Sequence, residues 1–590
     1  MKLGTISLAA FGLLTLGLSY WAASANRTDN VKTLSNASAD NVSPANDSTP
    51  TVTPVVNETD QLRFLESERC ALCHSNSRNA NAMRDSQQRP IAPYDLWQSS
   101  MMANSARDPF WRAVLSAEVQ ATPSQKAHIE EVCTRCHAPM AAPAPESPDG
   151  TILAHISKKD ERSKLGLDGV SCTVCHQMTD EGLGEDSSFT GNFKINTEGK
   201  IFGPHANPTT MPMQRHVGYT PTQGMHVMKS ALCATCHTVI TESVDADGKP
   251  SAGMFHEQSP YLEWRNSDFN DERTPAPDSA RSCQACHMPQ NDVDGNIIMT
   301  NLAHNPGGRD FPFLRPRLPF GRHTLVGGNA FMTRLLRDNA KKLGAVASKD
   351  AFEQSIERIV SMLQTQTATV AIGEPQIDGK SVHLPVSLVN ECGHKFPTAY
   401  PSRRAWLHFS IQDKNRNVVF ESGAYDAEGR LLDGKGELLE SETAGGPVHP
   451  HYQSISAANE VQIYETVMAD ADGNATFTLL RGASYVKDNR LLPKGWSHDH
   501  ADGEATQPYG VADDSDFGPG SDLVNYELEL ASGEYTAHIE LLFQPLSVRH
   551  VHELFTADTP EITTFRKMYD KAERKPDVIA SHELSFTVPN

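Results

Sequence analysis

The spacing of hydrophobic positions along this chain changes near residue 365. Before that point long periodic runs are few, and two of them read as helices. Tyr94 to about Val119 sets Leu96, Trp97, Met101, Phe110, Trp111, Val114 and Leu115 at helical spacing, interrupted near Asp108-Pro109. Pro123 to Cys136 reads as a second helix, entered through Thr122 as N-cap with proline at the first helical position. Two further helices are expected from Ala330 to about Leu363. The second is capped by Ser348 and carries Phe352, Ile356, Ile359, Val360 and Leu363 on one face. Beyond them the period becomes two: Val382, Leu384, Val386 and Leu388 alternate, as do Leu407, Phe409 and Ile411. Strand-like runs recur at 461–468, 475–480, 524–530, 535–543 and 581–588. Short alternating strands joined by Gly, Asp and Asn turns predict an antiparallel β-sandwich of about 220 residues.

The N-terminus follows a different logic. Lys2, an apolar run from Leu3 to Trp21 and Ala23-Ser24-Ala25 form a secretory signal at 1–25, with a retained membrane anchor as the rival reading. Residues 26–60 are polar and Pro-containing, with too few large apolar side chains to offset ordering entropy, and read as a flexible tether. The expected plan is then a 61–330 domain, connecting helices at 331–364 and the β-sandwich at 365–590. A chain of 590 residues exceeds what one core serves. The formal charge of −21 argues against nucleic acid as a partner.

The chemistry lies in Cys-x-x-Cys-His, the signature of covalent c-type haem attachment, which occurs five times. The copies are Cys70/Cys73/His74, Cys133/Cys136/His137, Cys172/Cys175/His176, Cys233/Cys236/His237 and Cys283/Cys286/His287, using ten of the eleven cysteines. Two thiols add across the vinyl groups, and the following histidine becomes the proximal ligand. Zinc knuckles or disulfides would not require the trailing histidine every time. The fold class is therefore α + β and multidomain: a mainly helical and irregular pentahaem cytochrome c domain, then the antiparallel β-sandwich. Tyr94-x-x-Trp97-x-x-Ser100 is echoed by Tyr261-x-x-Trp264-x-x-Ser267, a faint internal repeat.

Several stretches carry a family resemblance: Trp97 to Met102, Gly169 to Gln177, Glu257 to Trp264 and Ser282 to Pro289. Together they resemble the multihaem cytochromes of the cytochrome c-552/c-554-like family, typified by the tetrahaem electron carrier of ammonia oxidisers, over roughly residues 60 to 330. In that family a histidine commonly follows the Trp-x-x-Ser element as a distal haem ligand. This chain has Met101 and Met102 there, which makes Met102 the substitute. Asn390 to Thr398, with its Gly393-His394-Lys395-Phe396-Pro397-Thr398 core, resembles an element of sandwich domains appended to multihaem cytochromes, as does Lys487 to Pro493.

Distal ligands must come from the histidines outside the motifs. Eight precede residue 330: His128, His155, His205, His216, His226, His256, His304 and His323. His226 lies seven residues before Cys233 in a helix-compatible stretch, where both would share a face. His323 opens a glycine-containing string that can approach a macrocycle closely. His216 and His155 rank next, and His394 is held on a loop stiffened by Pro397. The expected distal set is His226, His323, His216, His394 and Met102. Cys392 reads as a small buried apolar residue. The acidic loop Asp499 to Asp522 has oxygen donors for Ca²⁺ but no EF-hand spacing, and reads as a solvated loop.

Three functional classes remain open. The first is an exported, periplasmic or extracellular electron carrier working with redox partner proteins. The second is an oxidoreductase for a small nitrogen or sulfur compound at one open haem. The third is a wire-forming structural cytochrome. All five motifs end in His, so the Cys-x-x-Cys-Lys haem of multihaem nitrite reductases is absent, no separate catalytic constellation appears, and the carrier is preferred.

Overall fold

Asp108 and Pro109 divide the first expected helix, giving Pro93–Trp97 and Pro109–Ala121 with turns between them in the computed structural model. Pro109 takes the first helical position, where a missing N–H costs nothing, and Asp108 accepts from the Phe110 and Trp111 N–H groups at 2.8 and 3.4 Å. The second helix departs from expectation. Pro123–Gln125 is a 3-10 turn, the α-helix is Lys126–His137, and the Thr122 side chain caps neither. Thr122 instead closes the preceding helix, its N–H bonding the Glu118 carbonyl.

The structure describes residues 64–141, 156 and 160–590; the signal at 1–25, the tether at 26–60 and His155 lie outside them. Among the described residues no helix is long and apolar enough to cross a membrane.

The N-terminal half is a series of short helices with two small ribbons. β1 (Lys200–Gly203) pairs in parallel with β2 (Thr220–Gln223), and β3 (Val239–Val244) pairs antiparallel with β4 (Pro250–Gln258). The Tyr-x-x-Trp repeat is structural. Both copies form a short helix entered through proline, Pro93–Trp97 and Pro260–Arg265. The Trp97 indole donates to the Val170 carbonyl at 2.9 Å, and the Trp264 indole to the Arg281 carbonyl at 2.8 Å. Each carbonyl lies two residues ahead of a motif's first cysteine, Cys172 and Cys283 respectively.

Three helices, where two were expected, close this half: Ala330–Asp338, the single turn Ala340–Leu343, and Lys349–Gln366. Asn339 splits the first expected helix, and Gly344 ends the single turn in the left-handed conformation. Ser348 caps the third helix by accepting from the Ala351 N–H, and Phe352, Ile356, Ile359 and Leu363 are buried as the pattern required.

The C-terminal half is β-rich. Its strands are β5 (Ala368–Ile372), β6 (Gln376–Asp378), β7 (Ser381–Asn390), β8 (Arg404–Asp413), β9 (Val418–Ser422), β10 (Ser454–Ile455) and β11 (Ile463–Ala469). β12 (Ala475–Thr476), β13 (Ser484–Asp488), β14 (Ser521–Glu529), β15 (Gly533–Gln544) and β16 (Asp577–Val588) complete them. One sheet runs β10-β14-β7-β5 with β6 on β7; the other runs β12-β11-β8-β15-β16 with β13 on β11 and β9 on β8. A shared core lies between the sheets. Val382, Leu384, Val386 and Leu388 of β7 meet Leu407, Phe409 and Ile411 of β8, with the Phe409 and Tyr526 rings 3.8 Å apart. Two details depart from a purely antiparallel plan. β10 pairs in parallel with β14, and the run at 475–480 is a two-residue strand followed by a 3-10 turn at Leu479–Arg481. Two helices also interrupt the strands, Val548–Leu554 and Pro560–Tyr569. They lay Val551, Leu554, Ile562 and Phe565 against Ala113 and Val114 of the N-terminal half, so the two halves share a core.

Candidate haem-binding site

A helical turn brings residues three apart onto one face, which is what a pair of thiols reaching one macrocycle needs. Four motifs end helices: Ser67–His74, Lys126–His137, Ser230–His237 and Cys283–His287. The other occupies the single turn Cys172–Cys175, with His176 at its end. None of the eleven cysteines forms a disulfide. Thiols of different motifs lie beside one another in pairs: Cys70 with Cys172, Cys136 with Cys236, and Cys233 with Cys283. The first motif is thus seated on the third, the second on the fourth, and the fourth on the fifth.

The motif histidines share a tautomer-setting device. Nδ1–H donates to a backbone carbonyl in four of them: His74 to Leu302 at 3.0 Å, His137 to Ser105 at 3.4 Å, His176 to Phe202 at 2.7 Å and His287 to Val326 at 2.5 Å. Each bond leaves the Nε2 lone pair for a metal. Burial pushes His74, His137 and His237 down to about 4, keeping them in the neutral form that ligation requires. The Trp111 ring lies parallel to His137 at 4.7 Å.

Two motif histidines face a second imidazole. The His176 and His323 ring centres are 6.2 Å apart, and those of His287 and His394 are 6.3 Å apart, with planes within 21° and 13° of parallel. Two imidazoles ligating one ion from opposite sides at about 2 Å per bond have ring centres about 6 Å apart. The facing rings use the same device: His323 Nδ1 donates to the Gly321 carbonyl at 3.0 Å and His394 Nδ1 to the Lys395 carbonyl at 2.9 Å.

The other expected ligands are placed differently. His216 and Met102 both stand on the wall of one continuous cavity of about 760 Å³ that runs past the first four motifs. His226 is in a 3-10 turn, Met225–Met228, and Lys229 is extended before helix Ser230–His237 begins, so His226 and Cys233 do not share one helical face. Its Nε2 donates to the Met178 carbonyl at 2.9 Å, the opposite choice from the motif histidines. His304 bonds carbonyls through both nitrogens, Asn305 at 2.7 Å and Ser75 at 2.9 Å. Paired thiols on one turn, imidazoles with free Nε2 atoms and a largely apolar cavity together fit covalent haem.

Polar groups gather at two places. Beside Cys133 of the second motif, Glu118 and Glu257 line the cavity, pushed by burial up to about 7 and about 8. The Tyr400 hydroxyl and Trp111 indole N–H there are buried without hydrogen-bond partners among the described residues. Beside His394, Glu263 of the N-terminal half accepts from the Lys395 N–H at 3.1 Å and the Thr398 hydroxyl at 2.6 Å, and Arg490 meets it at 3.1 Å. Asp488 bridges Lys395 and Arg490, at 2.7 Å to each. Burial raises the Asp488 carboxyl, but Arg490 and Lys395 outweigh it and hold the group at about 2. Sequence reasoning placed His394 on its loop but missed this network, whose members lie on three distant segments.

The acidic loop is not solvated as expected: Asp502, Asp514 and Asp522 are buried, because each has a distant partner. Asp502 pairs with Arg265, Asp514 accepts from His451 Nε2 at 2.8 Å, and Asp522 accepts from the Tyr464 hydroxyl at 2.6 Å. His451, Asp514 and Asp522 are close enough to suggest a cation site. The hydrogen bonding argues against one. Asn489 is oriented by donating to the Ile463 carbonyl at 2.8 Å and accepting from the Glu465 N–H at 3.0 Å, so its N–H also donates to His451 Nδ1 at 2.9 Å. Nδ1 is then the acceptor, Nε2 carries the proton, and neither nitrogen has a lone pair to spare. Cys392 is half-buried, its thiol bonding the Thr367 carbonyl at 3.5 Å.

Residues 69–177 match the family described as cytochrome c554 and c-prime. Among solved structures, the chain is similar to a penta-heme cytochrome c552 from Thermochromatium tepidum, with a TM-score of 0.47 and 17% identity over 88% of this chain and 99% of that one. No curated protein matches.

Proposed function

We propose that the chain is a multihaem c-type cytochrome that takes up five covalent haems, one at each motif, and passes electrons along them after export through its N-terminal signal. The proximal ligands are His74, His137, His176, His237 and His287. The observation that carries the reading is the pairing of His176 with His323 and of His287 with His394 at the span of a single iron. Iron held by two imidazoles keeps its ligands in both oxidation states, so it transfers electrons with little rearrangement. Thiol contacts between the first and third, second and fourth, and fourth and fifth motifs favour closely spaced haems. Burial and the nearby Cys236 raise the Cys175 thiol, linking the third motif to the fourth. For His74, His137 and His237 the sixth ligands proposed are among His216, His226 and Met102; His226 must release the Met178 carbonyl to serve.

Intact mass and low-temperature paramagnetic resonance of the exported protein test this reading. The expected result is five haem additions, loss of residues 1–25 and at least two low-spin bis-imidazole signals. Fewer additions, or an all-high-spin spectrum, would overturn it.

A second reading is favoured by one observation. The Tyr400 hydroxyl and Trp111 N–H, unpartnered among the described residues and with Glu118 and Glu257 nearby, form a polar niche at Cys133 of the second motif that a purely electron-carrying haem does not need. In that reading the second haem is open and acts on a small nitrogen or sulfur compound. Stoichiometric carbon monoxide binding by the unmodified reduced protein would give it precedence.

A further inference from the structure

A guanidinium taken out of water is costly unless an anion meets it. The neighbouring residues Arg403 and Arg404 solve this differently. Arg404 is fully buried and grips Glu442 at 2.5 Å. Arg403 has no carboxylate within ion-pair distance among the described residues, and its hydrogen bond goes to the Thr398 carbonyl at 2.6 Å. Arg404, the first residue of β8, is buried in the sheet region, while Arg403 just ahead of the strand lines the haem cavity. There it shares the wall with Cys233, Cys236 and His237. Burial and the nearby Arg490 hold its guanidinium down to about 10, with Glu263 offsetting them only in part. Its charge is also felt at His237 and His394.

Among the described residues no carboxylate meets Arg403 directly, and a c-type haem carries two propionates. Resting on the pentahaem reading, we propose that Arg403 anchors a propionate of the haem attached at Cys233 and Cys236 and raises that haem's reduction potential. The sign follows from charge. Reduction lowers the positive charge at iron, so a nearby cation favours the ferrous form, and a propionate stripped of its cation favours the ferric form. Arginine suits the position because its planar fork matches a carboxylate bidentately, which an ammonium cannot do.

The full-length exported protein is compared with R403Q and R403K by intact mass and spectroelectrochemical titration. R403Q is expected to keep five haems while the reduction equilibrium of one haem falls at least tenfold, about 59 mV for one electron. R403K keeps the charge and is expected to fall less. Five haems with every potential within threefold of the parent would overturn the assignment. If R403Q assembles poorly, resonance Raman of R403K decides: a shifted propionate bending band supports the anchor, and an unchanged band overturns it. Failure of the pentahaem reading shows separately, as a parent protein whose mass falls short of five haems.

Discussion

The first and third motifs are joined by the same devices as the fourth and fifth. In each pair a carboxylate receives the N-terminal amides of the first motif's helix: Asp168 takes the Ser67 N–H at 2.8 Å, and Glu272 takes the Ala231 N–H at 3.3 Å. In each, the residue after the second motif's first cysteine holds the backbone leading into that helix. Thr173 donates to the Leu65 carbonyl at 3.2 Å and Gln284 to the Lys229 carbonyl at 2.7 Å. A Tyr-x-x-Trp helix then fixes the entry to the second motif. The pairs part company over the facing imidazole. His323 arrives on the segment that ends the same half, whereas His394 comes from the loop between β7 and β8. One pair is completed within the N-terminal half, and the other is completed only when the β-rich half is seated. The buried charges around His394 tie its loop to Glu263 of the N-terminal half.

The largest expected effect is therefore an asymmetry of ligand loss. His394→Ala and His323→Ala should each open one haem and give one equivalent of carbon monoxide binding in the reduced state. Asp488→Asn should open only the His394 site. It leaves Lys395 and Arg490 buried with their shared anion gone, a change that costs about 3–5 kcal/mol. Equal opening of both sites in Asp488→Asn, read by carbon monoxide titration of the two haem populations, would remove the distinction between the pairs.

Acid should reveal the same asymmetry. Asp488 is held at about 2, below its ordinary 3.8, so its contribution is fully present above about pH 4 and is lost as pH falls through 2. The expectation is that the low-spin signal assigned to His287/His394 disappears before that of His176/His323 in a descending titration between pH 4 and 2. Simultaneous loss would place the acid-sensitive contact elsewhere.

A smaller, steric contrast separates the two loops. A Cβ added at Gly393 would lie 2.9 Å from the Phe269 Cβ and 3.2 Å from a Trp264 ring carbon, whereas one at Gly327 would meet nothing within 4 Å. Gly393→Ala should then displace His394 and cost stability by an amount typical of overpacking, about 1–3 kcal/mol, read as a lower thermal midpoint. Gly327→Ala should leave both spectrum and stability near the parent. A silent Gly393→Ala would mean that Phe269 and Trp264 can yield.

What could be read from the amino-acid order follows the range of the interaction. The motifs, the Ser348 cap with its apolar face and the alternation of β7 and β8 are local patterns, and they appear where the pattern placed them. The facing of His176 by His323 depends on a fold bringing residue 323 back to residue 176, and no periodicity encodes it. The burial of Asp502, Asp514 and Asp522 was hidden for the same reason, since a carboxylate's partner decides whether it is solvated. The helices Val548–Leu554 and Pro560–Tyr569 did leave a local sign. Thr559-Pro560 is a cap followed by proline at the first turn, and Ile562, Phe565 and Tyr569 recur at helical spacing behind it. Among five strand-like runs, that short stretch was overshadowed by its alternating neighbours.

The smallest expected effect tests whether the two pairs are alike where they look alike. Trp97 and Trp264 each spend one indole N–H on a carbonyl just ahead of a motif, at 2.9 and 2.8 Å, and each is buried with a tyrosine ring centre 6.2 or 5.6 Å away. Replacement by phenylalanine keeps an aromatic ring against the tyrosine but leaves the Val170 or Arg281 carbonyl without its donor. A buried acceptor left unmade costs about 1–3 kcal/mol. Trp97→Phe and Trp264→Phe should therefore lower stability by similar amounts, measured by denaturant titration of the haem absorbance, with both facing-imidazole signals retained. If Trp264→Phe cost much more, its ring would be serving the His394 loop as well, through the Gly393 contact that Trp97 lacks, and the likeness of the pairs would end at the hydrogen bond.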